Sequence, residues 1–176
     1  LISVLLHLIN TILVYFLIRK ITNRPLLAVL ATSLWASHPV LTEAVSWVSN
    51  QSSLIFFAFF ILAILALLKY KENQDKKVFL SVSYLFFAFS LLTKETALGG
   101  IFVIWAVFLY YFNVKKSFKI FTPFLIIGAA YLFARYQILG SLGDHAYRGS
   151  FLENLLLAPA VFFKYITLSV WPLNLL

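Results

Sequence analysis

The sequence predicts an all-α, polytopic transmembrane helical bundle with about seven spans. Of its 176 residues, 62% are hydrophobic and only 11% are charged, whereas soluble domains carry about 25% charged residues. Apolar runs alternate with short polar breaks along the whole chain. Because the hydrocarbon of a bilayer holds no water, each spanning segment must satisfy its own backbone polar groups, and this favours helices.

Seven apolar runs account for the predicted spans, since about 20 residues of helix cross the hydrocarbon. They cover residues 1–18, 25–37, 54–68, 78–92, 97–112, 120–139 and 155–170. The second run is short, but a crossing there keeps the basic clusters on either side of it on one face. Lys164 interrupts the last run, and Pro159 is expected to kink it. We expect residues 1–176 to form a single transmembrane domain.

The basic residues are distributed unevenly, because ten of the 14 fall in every second break between apolar runs. The clusters are Arg19, Lys20 and Arg24, then Lys69, Lys71, Lys76 and Lys77, and then Lys115, Lys116 and Lys119. Cytoplasmic loops carry such an excess of Lys and Arg. We therefore expect the breaks at 38–53, 93–96 and 140–154 on the periplasmic or lumenal face. The net charge of +8 then reflects topology, and no nucleic-acid partner is expected.

Residue types that are missing limit the possible chemistry. The sequence contains no Cys, which excludes thiolate metal sites, disulfides and thiol catalysis within it. Asp144 and His145 are neighbours without a third ligand at suitable spacing, so no metal site is expected. The sequence also contains no Met, and we expect it to be an internal fragment of a longer protein.

The first outer break carries two candidate site residues, His38 and Glu43. Pro39 suits the first turn of a helix, and the apolar residues that follow recur at helical spacing as far as Val48. We expect this helix to lie in the interface with its apolar side down and Glu43 facing an aqueous pocket. The spacing equally allows an interfacial connector with a solvated carboxylate.

The second outer break is a tight hairpin that contains Lys94 and Glu95. Ionisable residues at a membrane boundary are functional candidates. Mutual pairing of Lys94 with Glu95, or extension of Lys94 to the headgroups, remains an alternative. Gly99 and Gly100 follow, where helix backbones can approach each other closely.

The third outer break is rich in glycine and predicts a flexible loop that can fold over a pocket. Arg148 lies in this loop, and Arg135 lies near the end of the preceding span. The two guanidinium groups are suited to bidentate binding of a phosphate.

Three stretches resemble the transmembrane and tetratricopeptide-repeat O-mannosyltransferase family and its bacterial relatives in the GT-C superfamily. They are HPVLTEAVSWVS, LLTKETALGG and the opening HLINTILVYFLI, which is similar to the second transmembrane helix of that family. The family pattern of His-Pro, Thr-Glu-Ala-Val and Ser/Thr-Lys-Glu falls on His38, Pro39, Thr42, Glu43, Ala44, Val45, Thr93, Lys94 and Glu95. The resemblance covers nearly the whole chain.

The resemblance implies that a sugar is transferred from a polyprenyl-phosphate carrier to a hydroxyl acceptor on a protein or glycan. It places the reaction on the periplasmic or lumenal face of the bacterial inner membrane or the endoplasmic reticulum. On this basis Glu43 and Glu95 are candidate catalytic carboxylates that orient or deprotonate the acceptor hydroxyl. The donor is the lipid-linked sugar itself, and no separate cofactor is expected.

Cations are expected to bind the phosphate of the donor, because charge develops there as the sugar leaves. The resemblance makes Lys94 the first candidate for this role. The full set of candidate phosphate-binding residues is His38, Lys94, Arg135 and Arg148.

The sequence also departs from the family pattern. Family members often carry Gly-Arg and an acidic residue after the first motif, whereas this chain has Asn50, Gln51, Ser52 and Ser53. The catalytic carboxylate of the superfamily usually lies on the outer loop after the first helix, which we expect upstream of Leu1. A repeat domain is expected downstream.

Two other classes of function are compatible with the sequence. A transporter or flippase of lipid-linked sugars also needs outer-face cations, but it should carry ionisable residues or broken helices near the middle of the membrane. The other class is a non-catalytic membrane scaffold for a repeat domain.

The charge pattern predicts that Ser46 and Gln74 lie on opposite sides of the membrane. Single cysteines at these positions, in a sequence without native Cys, should react differently with a membrane-impermeant maleimide. We expect labelling at position 46 from the outer side, and labelling at position 74 only after permeabilisation. Reaction of both cysteines from the same side would contradict the predicted topology.

Overall fold

A computed structural model describes residues 1–47, 50–111, 114–140 and 151–170. These residues form helices without strands, and the predicted all-α class is confirmed. The α-helices are α1 (Ile2–Thr22), α2 (Pro25–Ala36), α3 (Thr42–Ser46), α4 (Gln51–Glu72), α5 (Val78–Thr93), α6 (Gly100–Tyr111), α7 (Val114–Leu139) and α8 (Phe151–Val170). The 3-10 helices Pro39–Leu41 and Glu95–Gly99 precede α3 and α6, respectively.

The helices lie where the apolar runs predict them, but the predicted number of about seven spans is wrong. Within the described residues, three helices are long and apolar enough to cross a membrane: Ile2–Thr22, Gln51–Glu72 and Phe118–Leu139. A fourth span results only if Pro25–Ala36 and Pro39–Ser46, which are bent by 55°, count as one. The other apolar helices have 10–17 residues, and at about 1.5 Å per residue they are shorter than the roughly 30 Å of hydrocarbon.

Side-chain contacts between α1 and α4 show that these helices run parallel. At one end, the Gln51 side-chain amide donates a hydrogen bond of 3.3 Å to Ser3 Oγ. At the other end, Lys20 Nζ and Glu72 Oε2 form an ion pair of 2.8 Å. We call these the polar end and the basic end of the bundle.

The neighbouring helices run antiparallel to this pair. His7 Nε2 lies 3.1 Å from the carbonyl oxygen of Ala36, so α2 finishes at the polar end. Lys69 Nζ lies 4.8 Å from the ring centroid of Phe79, so α5 begins at the basic end. The first two basic clusters therefore share one end, as the charge pattern predicts.

The same alternation continues through α6 and α7. Lys71 Nζ lies 4.9 Å from the ring centroid of Tyr111, the last residue of α6, which places the end of that helix at the basic end. Arg135, near the end of α7, contacts Glu95 at 3.3 Å at the polar end. The first two polar breaks and the end of α7 thus lie opposite the first two basic clusters.

The core between α4, α5, α6 and α7 is aromatic. Phe87, Phe108 and Phe124 are fully buried, and the rings of Tyr84 and Phe124 meet edge to face at 4.7 Å. Helices in lipid associate through close packing and interhelical hydrogen bonds. The Tyr84 hydroxyl accordingly donates to the carbonyl oxygen of Ile120 at 2.8 Å and joins α5 to α7.

Polar side chains also join the other helices of the bundle. The hydroxyl of buried Ser83 donates to the carbonyl oxygen of Ala63 at 2.7 Å, between α5 and α4. The amide of buried Asn10 donates to the carbonyl oxygen of Leu54 at 3.0 Å, between α1 and α4. These bonds set the axial position of one helix against the next and thereby align the residues at the polar end.

The two adjacent glycines at the start of α6 differ in their surroundings. A Cβ atom at Gly100 would overlap the ring of Phe60, whereas a Cβ at Gly99 would have no heavy atom within 4 Å. Phe60 is buried and packs in the core. Gly100 is therefore approached by a side-chain ring, and the predicted close approach of helix backbones is not observed at either glycine.

This difference predicts opposite outcomes for two matched substitutions. Gly100→Ala should lower the free energy of unfolding by about 1–3 kcal/mol, because the added methyl group overpacks the contact with Phe60. Gly99→Ala should leave stability nearly unchanged. Thermal unfolding of both variants in the same detergent tests this, and equal midpoints would contradict the assigned packing.

Candidate functional site

The polar end is formed by the segment between α2 and α4 and by the hairpin between α5 and α6. The predicted interfacial helix after Pro39 is present only in part, as a 3-10 turn followed by α3. It ends at Ser46 because Trp47 adopts an extended conformation, with φ −90° and ψ 115°. The expected continuous helix as far as Val48 is therefore wrong, and two short pieces of helix carry His38 and Glu43.

His38 closes the turn at the end of α2. Its Nδ1 accepts a hydrogen bond of 3.3 Å from the backbone N–H of Val40. An imidazole that accepts at Nδ1 carries the proton of its neutral form on Nε2. The ring is half-buried, so His38 stabilises the turn and keeps a donor available for a ligand.

Glu43 is exposed on α3. Among the residues that the structure describes, none forms an ion pair or side-chain hydrogen bond with its carboxylate. α3 itself packs against α1 and α4. The carboxylate is therefore held at the polar end without a partner from the described part of the chain.

Lys94 lies between α5 and α6 and reaches the start of α4. Its Nζ donates to Ser53 Oγ at 2.5 Å and to Asn50 Oδ1 at 3.4 Å. The Ser53 hydroxyl in turn donates to Asn50 Oδ1. Both acceptors are neutral, and within the described ranges no carboxylate pairs with this half-buried ammonium.

This arrangement leaves the charge of Lys94 without a counter-ion among the described residues. An ammonium group has three donors, of which two are used by Asn50 and Ser53. The third can bind an anion that approaches from outside. Two of the four positions where the sequence departs from the family pattern, Asn50 and Ser53, thus hold Lys94.

Glu95 has a different partner from its neighbour. Its Oε2 accepts from Arg135 Nη1 at 3.3 Å, and Arg135 Nη1 also contacts the Tyr131 hydroxyl at 3.3 Å. Mutual pairing of Lys94 and Glu95, the alternative left open by the sequence, is therefore not observed. The Arg135 side chain is 20% exposed, and its Nε is buried without a partner in the described structure.

Of the two arginines predicted to bind a phosphate, Arg135 is described by the structure. Arg148 lies outside the described residues. Arg135 lies at the polar end, but its charge is partly compensated by Glu95. Of the predicted cations whose side chains are described, Lys94 is therefore better suited than Arg135 to bind a further anion.

Sequence reasoning did not single out His7, which also lies toward the polar end. Its ring stacks on Trp35 at 5.7 Å, and Trp35 stacks on Phe57 at 5.4 Å. His7 Nε2 contacts the Ala36 carbonyl oxygen, whereas its Nδ1 is buried and unpartnered within the described structure. An ionisable residue inside an apolar run was the available signal.

Metal ligands are not clustered in the described part of the chain. No group of three or more His, Asp or Glu residues lies close enough there to hold a metal ion. The chemistry available from these residues is hydrogen bonding and charge stabilisation by Lys94 and Arg135, together with the carboxylates of Glu43 and Glu95.

A protein-family model described as dolichyl-phosphate-mannose-protein mannosyltransferase matches residues 1–138. The matched range includes His38, Glu43, Lys94, Glu95 and Arg135, whereas Arg148 follows it. No curated protein and no solved structure gives a significant match.

The contacts of Lys94 predict different effects for two neighbouring serines. Ser53→Ala removes an acceptor from a half-buried ammonium and should lower the free energy of unfolding by about 1–3 kcal/mol, as for hydrogen bonds to charged groups. Ser52→Ala removes the same hydroxyl group without removing a contact to Lys94. Thermal unfolding in detergent should separate the two variants, and equal destabilisation would argue against the Lys94–Ser53 hydrogen bond.

Proposed function

Because the chain belongs to the dolichyl-phosphate-mannose-protein mannosyltransferase family, we propose that it transfers mannose from a polyprenyl-phosphate carrier to a hydroxyl group. The family makes it a multi-pass membrane glycosyltransferase of the mannosyltransferase type. The carrier, the acceptor on a protein or glycan, and the periplasmic or lumenal face are parts of the proposal. So is the assignment of residues 1–176 to a single transmembrane domain.

One observation carries the assignment of the donor site, namely the ammonium of Lys94 held by neutral acceptors. Carboxylate partners would cancel its field, whereas Asn50 and Ser53 orient it and leave its charge intact. A lipid-linked donor presents its phosphate at the membrane boundary. As the bond between the sugar and the phosphate breaks, negative charge grows on the phosphate oxygen, and a preorganised cation stabilises that charge.

The acceptor hydroxyl needs a carboxylate that is free to receive its hydrogen bond. Glu43 fits this role better than Glu95, because Glu95 is paired with Arg135 whereas Glu43 has no partner in the described structure. We propose that Glu43 orients the acceptor and that Glu95 acts as a positioning residue for Arg135. His38 is proposed to donate a hydrogen bond from Nε2 to the bound donor.

Replacement of Lys94 tests the proposal directly. In the full-length protein reconstituted in liposomes, Lys94→Ala should reduce kcat for transfer from a polyprenyl-phosphate mannose donor by about 10²–10³-fold. Lys76→Ala is the matched control, because it removes a lysine at the opposite end of the bundle and should leave turnover unchanged.

Three outcomes would contradict the proposal. Unchanged turnover in Lys94→Ala would remove Lys94 from the donor site. Equal losses in Lys94→Ala and Lys76→Ala would point to a general effect of charge on membrane insertion. Movement of the lipid-linked sugar across the bilayer without transfer to an acceptor would indicate a flippase.

A further inference from the structure

The basic end of the bundle contains a cavity that the proposed chemistry does not use. It measures about 440 Å³ and opens between α1 and α4. The residues that line it are Phe16, Arg19, Lys20, Asn23, Leu65, Lys69 and Glu72. It lies at the end opposite Lys94, since the Lys20–Glu72 ion pair forms part of its wall.

The lining of this cavity is positively charged. Three cations face one carboxylate, and Glu72 pairs with Lys20 at 2.8 Å. Arg19 contacts the neutral Tyr15 hydroxyl at 3.4 Å, and Lys69 lies over the ring of Phe79. Within the described ranges neither Arg19 nor Lys69 pairs with a carboxylate, so both remain available to an anion.

Polar and apolar residues are separated by depth in this cavity. Phe16 and Leu65 precede Lys20 and Lys69 by four residues on parallel helices that run toward the basic end. Four residues of helix correspond to about 6 Å, so the apolar side chains lie one turn deeper in the membrane than the cations. Phe16 is 49% exposed. The cavity therefore offers an apolar wall for a chain and a cationic rim for a headgroup.

We propose that this cavity is a binding site for an anionic phospholipid. The phosphate is held by Arg19 and Lys69, the Asn23 amide adds hydrogen-bonding capacity at the rim, and the first part of an acyl chain lies against Phe16 and Leu65. Basic pockets between transmembrane helices bind anionic headgroups in this way. A free phosphate would use the rim alone, whereas a phospholipid also uses the apolar wall.

Native mass spectrometry of the full-length protein in detergent tests the site with phosphatidylglycerol and phosphatidylcholine of the same chains. We expect phosphatidylglycerol to be retained preferentially. The double variant Arg19→Gln/Lys69→Gln should weaken this binding by about tenfold or more. The matched control Lys76→Gln/Lys77→Gln makes the same change in net charge outside the cavity and should bind within about twofold of the wild type.

A second variant and a soluble probe keep the test decisive. If the double variant is unstable, Asn23→Asp adds one negative charge to the rim and should also weaken phosphatidylglycerol binding, by about threefold or more. Glycerol phosphate at equal concentration should not displace the lipid. Equal losses in the cavity and control variants, equal retention of both lipids, or displacement by glycerol phosphate would each overturn the proposal.

Discussion

The parallel alignment of α1 with α4 is the constraint on which the rest of the structure depends. It is held at one end by Gln51 and Ser3 and at the other by Lys20 and Glu72. Because α1 and α4 run in the same direction, the chain between them must run back from the basic end to the polar end. This connection consists of α2 and the bent segment that follows it. If that segment did not cross back, the first two basic clusters would lie at opposite ends, and the polar breaks would not meet.

The two cations at the polar end with described side chains are held in different ways, and the difference separates their roles. Arg135 is oriented by a carboxylate, and the negative charge of Glu95 offsets much of the positive charge of the guanidinium group. Lys94 is oriented by a serine and an asparagine, which accept hydrogen bonds without cancelling its charge. Burying an ammonium group without a counter-ion is unfavourable, and this physical cost is the reason for proposing that Lys94 binds a phosphate.

The bundle also carries two different polar surfaces, one at each end. The polar end carries hydrogen-bonding side chains and the ammonium of Lys94, whereas the basic end has a cavity with an apolar wall beneath a cationic rim. Interhelical hydrogen bonds from Asn10, Ser83 and Tyr84 keep the helices in register between the two ends. A shift of one helix against its neighbours would therefore change the geometry of both surfaces.

The sequence by itself determined where the helices lie and which charges gather at each end, because apolar length and Lys/Arg asymmetry are local properties of the chain. It also identified Lys94 and Glu95, since ionisable residues stand out in an apolar background. Which side chains Lys94 and Glu95 contact was decided only by the tertiary structure. Lys94 reaches Asn50 and Ser53, more than 40 positions earlier, and Glu95 pairs with Arg135, 40 positions later.

Two other features could not be predicted from the sequence, because they too depend on how the helices pack and where they end. Gly99 and Gly100 are adjacent residues of the same type, and the sequence does not distinguish them. Only Gly100 of the two faces the Phe60 ring of another helix. Within the described residues, the number of helices long enough to span also differs from the number of apolar runs, because helix ends are set by turns such as those at His38 and Trp47. Contacts between helices depend on their relative rotation and register, and these are properties of the packed bundle rather than of any single segment.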